Sequence, residues 1–220
     1  KDNPTVMLLS HLVHNLAFVV PHYDWWEGPF YGIGLKVYDL LAGKQGFGAS
    51  RYLSRGSTLT AIPTIETKGL RGGVIYHDGQ FDDARLAIHM ARTAVEQGAT
   101  VINYVAVTGL LKAEDMVRGV FAEDRESGRR FTIRGRVVVN ATGVFADRVR
   151  RLDDPQAPAM ITPSQGVHIV LDKSFLPGES AIMVPHTRDG RVLFATPWHG
   201  RVVVGTTDTP VPDTPLEPRP

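Results

Sequence analysis

The sequence predicts an α+β fold, with a mixed β-sheet and a three-stranded meander. Three observations carry that reading. A helix-period stretch is flanked by strand-like runs between residues 74 and 107, and short strand-like runs parted by glycine follow from 116 to 140. After Pro155, Pro158 and Pro163, further short turn-separated runs fill 167–205. Apolar periodicity near 3.6 marks a helix and short alternating runs mark strands. Their segregation favours α+β over a regular βαβ alternation.

Val6, Leu9, Val13 and Leu16 recur at helical spacing, so residues 5–16 are expected to form a short helix. Residues 17–20 read as extended up to Pro21. The aromatic cluster Tyr23, Trp25, Trp26, Phe30 and Tyr31 leads into a helix expected over 32–41 and closed by Gly43. Residues 44–73, with seven glycines and prolines, read as mostly loop. Val74-Ile75-Tyr76 is strand-like. Asp82 or Asp83 can cap the next helix, since a carboxylate accepts from its orphan N–H groups. That helix carries the stripe Ala87, Met90, Ala91, Ala94 and Val95, and Gly98 ends it. A strand is expected over 100–107, then a meander over 116–122, 130–133 and 137–140.

Composition narrows the function. The chain has 220 residues, 43% hydrophobic and 21% charged, which suits a packed globular core. Its 24 basic and 23 acidic residues leave +1, so nothing recommends a nucleic-acid partner. With no cysteine, disulfides, thiolate metal sites and a cysteine nucleophile are excluded. No apolar run approaches the ~20 residues that span a bilayer, and no signal-peptide pattern is present.

A dinucleotide turn needs G-x-G-x-x-G between strand and helix. Gly32-Ile33-Gly34 and Gly46-Phe47-Gly48 begin such a pattern, but Val37 and Arg51 stand where the third glycine belongs. The run 136–143, Arg-Val-Val-Val-Asn-Ala-Thr-Gly, ends an apolar strand in small residues where a backbone can approach a cofactor. The same residues also fit an ordinary strand-to-loop turn. His11 and His14, three apart, could hold a metal, but no third ligand is suggested, so no metal site is expected. His186 and His199 flank strands as loop residues, and Arg85 with Asp82 and Asp83 reads as a capping and ion-pair arrangement.

Five motifs occur in order: Gly-Leu-Arg-Gly-Gly-Val-Ile-Tyr at 69–76, Phe-Asp-Asp-Ala-Arg-Leu at 81–86, Asn-Ala-Thr-Gly at 140–143, Gly-Val-His-Ile-Val at 166–170 and Gly-Thr-Thr-Asp at 205–208. With Ile-Gly-Leu-Lys-Val-Tyr-Asp at 33–39, the set resembles the FAD-dependent glycerol-3-phosphate dehydrogenases, over nearly all of 5–210. These are quinone-reducing relatives of the D-amino-acid oxidase group. Ser164-Gln165-Gly166-Val167 departs from the Lys-Gly-Ser many members carry before the histidine.

The resemblance implies oxidation of sn-glycerol 3-phosphate to dihydroxyacetone phosphate, with hydride to FAD and electrons to a quinone. It implies a substrate-side region at 1–73, part of a two-dinucleotide-fold FAD domain at 74–150, and substrate-domain strands at 151–220. It places His168 beside the substrate hydroxyl, whose proton a neutral imidazole can accept. It places Ala141, Thr142 and Gly143 on the flavin side, Val105 and Ala106 by the adenine end, and Thr206 and Thr207 near the substrate. Without the resemblance, His168 would read as a structural strand histidine, and 105–106 as an ordinary strand pair. The aromatic segment 25–38 could face a membrane or pack against another part of the protein. The implied location is cytoplasmic, on the inner face of the cytoplasmic membrane. The family's glycine loop precedes this region and a basic substrate-phosphate segment follows it. Both ends therefore read as cut, and the chain alone is expected to be inactive and to bind FAD weakly or not at all. Tight, saturable quenching of flavin fluorescence would refute that. The alternatives are a related flavin oxidase or 2-hydroxy-acid dehydrogenase, and a non-catalytic interaction module on the same fold.

Overall fold

A computed structural model describes residues 12–187, 189–212 and 214–217. The chain divides into two compact units, residues 1–93 with 166–208, and residues 94–165 with 209–220.

The first unit is built on a seven-stranded mixed sheet. Its strands are β1 (His14–His22), β2 (Arg51–Ser54), β3 (Gly72–Gln80), β8 (Ile169–Asp172), β9 (Ala181–Val184), β10 (Leu193–Trp198) and β11 (Arg201–Gly205), in the order β2-β3-β1-β9-β10-β11-β8. Only β1 and β9 run parallel, with Val19 beside Ile182; every other pair is antiparallel. The β10–β11 hairpin turns on His199 and Gly200, both at positive φ, which suits the right-handed twist of the strands.

Alternation along these strands gives the sheet two faces. One carries the core cluster of Val19, Leu53, Ile75 and Val202, completed by Ile62 and Leu176 from outside the sheet. The other carries an aromatic row. Phe18 stacks on Tyr76 at 5.2 Å, and Phe194 meets Phe18 edge-on at 5.9 Å. Tyr38 of helix α1 (Glu27–Ala42) meets Tyr76 at 6.2 Å, so α1 lies against this second face.

Several expectations are corrected here. The residues of the expected helix 5–16 up to 11 lie outside the described residues, and 14–16 belong to β1, which continues through Pro21 to His22. Strand pairing with Gly79, Gly73 and their neighbours overrides the helical spacing. Helix α1 starts five residues early because Glu27 reaches back to accept from the N–H groups of Tyr23 and Asp24, at 2.8 and 2.9 Å. The stretch read as loop holds β2 and helix α2 (Arg55–Ala61). Ser54 caps that helix by accepting from Ser57 N–H at 3.1 Å, the contact that makes serine a good helix start.

Helix α3 (Asp83–Glu96) is capped as expected, with Asp82 accepting from Arg85 N–H at 2.9 Å. The Arg85 side chain forms no ion pair with either aspartate among the described residues. No residue of α3 is buried, so its apolar stripe stays exposed.

The second unit contains the meander, displaced from its expected position. Its strands are β4 (Val105–Ala113), β5 (Met116–Asp124) and β6 (Arg130–Arg134). Glu114 and Asp115, at φ 52 and 60, form a two-residue hairpin turn that sets Ala113 opposite Met116, and the register shifts twice further along, between Lys112 and Leu111 and between Gly109 and Val107. Pairing in β4 begins at Val105 rather than 100, directly after Tyr104 at φ 56. Because β3 and β4 belong to different sheets, residues 74–107 are not one strand–helix–strand unit. Residues 137–140 find no strand partner among the described residues, and a strand exists only where its backbone groups are paired. A short helix α4 (Ala146–Arg150) follows, and β7 (Ser164–Gln165) pairs with β12 (Thr209–Pro210).

Candidate functional site

His168 stands one residue before β8. Val204 lies opposite Ile169 and Val203 opposite Val170, so the next step of the alternation puts His168 with Gly205 on the aromatic face. The imidazole lies directly over the Gly205 backbone: a Cβ there would sit 2.5 Å from its Cδ2 and 3.1 Å from its Nε2.

The ring is exposed and lines a cleft of about 520 Å³. Leu16, Phe18, Thr196, Trp198 and Val203 contribute its sheet side, and residues 79–84 close it with the amino end of α3. Gln80 Nε2 donates to Pro197 O at 2.8 Å and ties the end of β3 to β10 beside the cleft. The titratable groups on its wall are His168, Asp82 and Asp83, and Asp82 is engaged in capping. On the same sheet face, outside the cleft lining, burial pushes the Tyr76 phenol above its ordinary range, with Asp78 adding to the effect. The cleft thus offers an apolar and aromatic surface with one exposed imidazole on its wall. That can seat a small hydroxylated substrate and receive the proton of its hydroxyl.

Thr206 and Thr207 have a different placement. They line a smaller cleft of about 200 Å³ with Val167, Ile169 and Val204, on the opposite side of the β8–β11 ladder from His168. Thr207 nevertheless acts next to the histidine. Its Oγ1 accepts from Val167 N–H at 2.9 Å, and its own N–H donates to Val167 O at 3.3 Å.

The other candidates lie in the second unit. Val105 and Ala106 are half-buried in β4, opposite Asp124 and Glu123. Ala141, Thr142 and Gly143 are exposed and lead into a 3-10 turn, Gly143–Phe145. Gly143 takes φ 56, with nothing within 4 Å of the position a Cβ would occupy, and Thr142 Oγ1 donates to Asn140 Oδ1 at 2.7 Å. Small side chains, a left-handed glycine and open space leave bare backbone available, which fits close approach by a flat or phosphorylated cofactor.

His11 lies outside the described residues, and His14 begins a strand rather than sharing a helix face with it. Among the described residues, no group of three or more histidines, aspartates or glutamates could hold a metal. Sequence reasoning missed Trp198 and the Gly205 seat, because their roles arise from strands meeting across the sheet. Asp82 and Asp83 were visible only as a helix cap.

Residues 21–220 match the FAD dependent oxidoreductase family. Mitochondrial glycerol-3-phosphate dehydrogenase of Schizosaccharomyces pombe is 41% identical, over 96% of this chain and 34% of its own length. Its namesake from Homo sapiens is 40% identical, over 92% of this chain and 29% of its own. The chain thus spans about a third of the length of these curated relatives. Among solved structures, glycerol-3-phosphate dehydrogenase from Bacillus halodurans complexed with FAD superposes with a TM-score of 0.77 at 30% identity, over 96% of this chain and 37% of that one. L-proline dehydrogenase from P. horikoshii, at 17% identity and a TM-score of 0.71, covers 97% of this chain and 57% of its own, and shares the fold.

Proposed function

The chain belongs to the FAD dependent oxidoreductase family, and from that premise we propose that it forms the substrate-side sheet and one edge of the flavin site of an enzyme oxidising sn-glycerol 3-phosphate to dihydroxyacetone phosphate. Support comes from relatives near 40% identity that carry the name glycerol-3-phosphate dehydrogenase. The observation that carries the reading is His168, set over Gly205 in an apolar cleft with its imidazole open to a ligand.

When bound, FAD supplies the acceptor for the hydride leaving C2. His168 hydrogen-bonds the C2 hydroxyl and accepts its proton as the carbonyl forms. The sheet side of the cleft, Phe18, Val203 and Trp198, gives the substrate an apolar wall beside that proton transfer. Ala141, Thr142 and Gly143 would hold the flavin side through backbone groups, and Val105 and Ala106 would pass the adenine end. Of the segment 74–150 expected to belong to the FAD domain, β3 instead joins the substrate-side sheet, so residues 94–150 would contribute the FAD-domain portion and 166–205 the later substrate strands. Thr206 and Thr207 support the substrate side through the histidine segment.

Electron transfer onward to a quinone at a membrane is part of the same proposal, supported by α1. Phe30, Ile33, Val37 and Leu40 recur along one exposed side, Ile33 at 66% and Leu40 at 80% exposure, while the other side packs on the sheet. A helix apolar on both sides calls for an apolar neighbour on each. No helix among the described residues is long and apolar enough to cross a membrane. Attachment to the inner face of the cytoplasmic membrane is proposed for this chain; the curated relatives above are mitochondrial by name.

The test uses the full-length flavoprotein containing this chain, mixed anaerobically with glycerol 3-phosphate while flavin absorbance is followed. The wild type should bleach. His168→Ala should keep its flavin but bleach about 10²-fold or more slowly, the usual loss when a proton acceptor is removed. A wild type that is not bleached, or a variant as fast as wild type, overturns the reading.

A further inference from the structure

We propose that Gly205 is the seat of the His168 imidazole and Thr207 the latch that holds the histidine segment onto it, making both of them positioning residues; this rests on the role given to His168 above. Two fixed points bracket a single residue. On one side the β8–β11 ladder begins, with Ile169 opposite Val204. On the other, Val167 and Thr207 exchange two hydrogen bonds, Val167 N–H to Thr207 Oγ1 at 2.9 Å and Thr207 N–H to Val167 O at 3.3 Å. The backbone of His168 is thereby held from both directions, and only the side-chain torsions are left to set.

Gly205 sets them. A Cβ at 205 would stand 2.5 Å from Cδ2, 3.0 Å from Cγ and 3.1 Å from Nε2 of His168. Those atoms span the body of the ring, including the carbon nearest its attachment, so a small tilt cannot relieve the overlap. The ring must swing to another rotamer. The same closeness recurs one step away, where a Cβ on Gly166 would lie 2.4 Å from Thr206 Oγ1 and 3.0 Å from Thr207 O. The two segments therefore approach more closely than side-chain-bearing residues allow, and the space gained is filled by the imidazole.

A purely structural glycine would affect folding and leave the reaction alone. A positioning glycine lowers kcat in a protein that is still folded and still holds flavin, because a reactive group displaced by about 1 Å can cost about 10²-fold. In the full-length flavoprotein, Gly205→Ala is expected to lower kcat at least 10-fold with flavin content retained and KM changed less than kcat. Thr207→Val should lower kcat in the same sense, and Thr207→Ser, which keeps the accepting hydroxyl, should restore it. Wild-type kcat in Gly205→Ala, or no recovery in Thr207→Ser, overturns the proposal.

A second measurement does not depend on activity or on the alanine variant folding. In the wild-type full-length flavoprotein labelled selectively at histidine and glycine, the His168 Hδ2 proton should show a strong nuclear Overhauser effect to the Gly205 α-protons, and Thr207→Val should weaken it. Its absence in the wild type overturns the seat. Failure of the wild-type enzyme to oxidise glycerol 3-phosphate, with the Overhauser effect present, instead overturns the functional reading on which the positioning role rests.

Discussion

Replacing Ile62 by alanine should destabilise the first unit by about 3 kcal/mol, although the residue lies in a stretch whose glycines and prolines suggest only loop. Ile62 is 1% exposed and packs with Val19, Leu53, Ile75, Leu176 and Val202 against the core face of the sheet. It also closes α2, its N–H donating to Thr58 O at 2.8 Å, so the backbone is held and the site cannot collapse freely. The change removes three carbons, each worth about 0.8 kcal/mol of transfer free energy, and the unfilled cavity adds to that. The assay is urea unfolding followed by tryptophan fluorescence. All three tryptophans, Trp25, Trp26 and Trp198, belong to the first unit, so the signal reports that unit alone. The midpoint should fall by about 1–2 M at the slopes usual for domains of this size. Ile33→Ala, at a position 66% exposed, should change stability by less than about 0.5 kcal/mol. A loss below about 1 kcal/mol for Ile62→Ala would mean that this segment does not pack on the sheet.

Asp147 gives a pH dependence for the second unit. Its carboxylate accepts from Ile161 N–H, from Arg150 and from Met160 N–H, which hold it down to about 2 from the ordinary 3.8. The sign follows: its stabilisation is full above about pH 4 and is lost as pH falls through 2. Amide protection at Met160 and Ile161, measured against the intrinsic exchange rate at each pH, should therefore fall across that window, and in Asp147→Asn it should already be low at pH 6. On mixing with phospholipid vesicles, emission from Trp25 and Trp26 should shift to shorter wavelength, and Ile33→Asp with Leu40→Asp should abolish the shift; equal binding by this variant would dismiss α1 as the membrane contact.

Much of the strand pattern was legible in advance. The short turn-separated runs expected within 167–205 appear as β8 to β11, and of the two candidate caps, Asp82 and Asp83, Asp82 takes the role. These depend on local chemistry: alternation, β-branched residues, and a carboxylate three residues from an orphan N–H. The errors have a common origin. Residues 14–16 carry helical spacing but pair with β3, residues 137–140 carry a strand's composition but have no partner among the described residues, and 51–61 carry loop residues but hold an edge strand and a capped helix. Pairing and burial decided each case.

The sequence by itself determined the α+β class, the family resemblance and the choice of His168, because ordered motifs and residue chemistry are written along the chain. Only the tertiary structure decided that His168 and the Thr206–Thr207 pair line different clefts, that the imidazole rests on Gly205, and that Ile62 is core. Which face a side chain occupies depends on strand register, and register is fixed by partners distant in the chain.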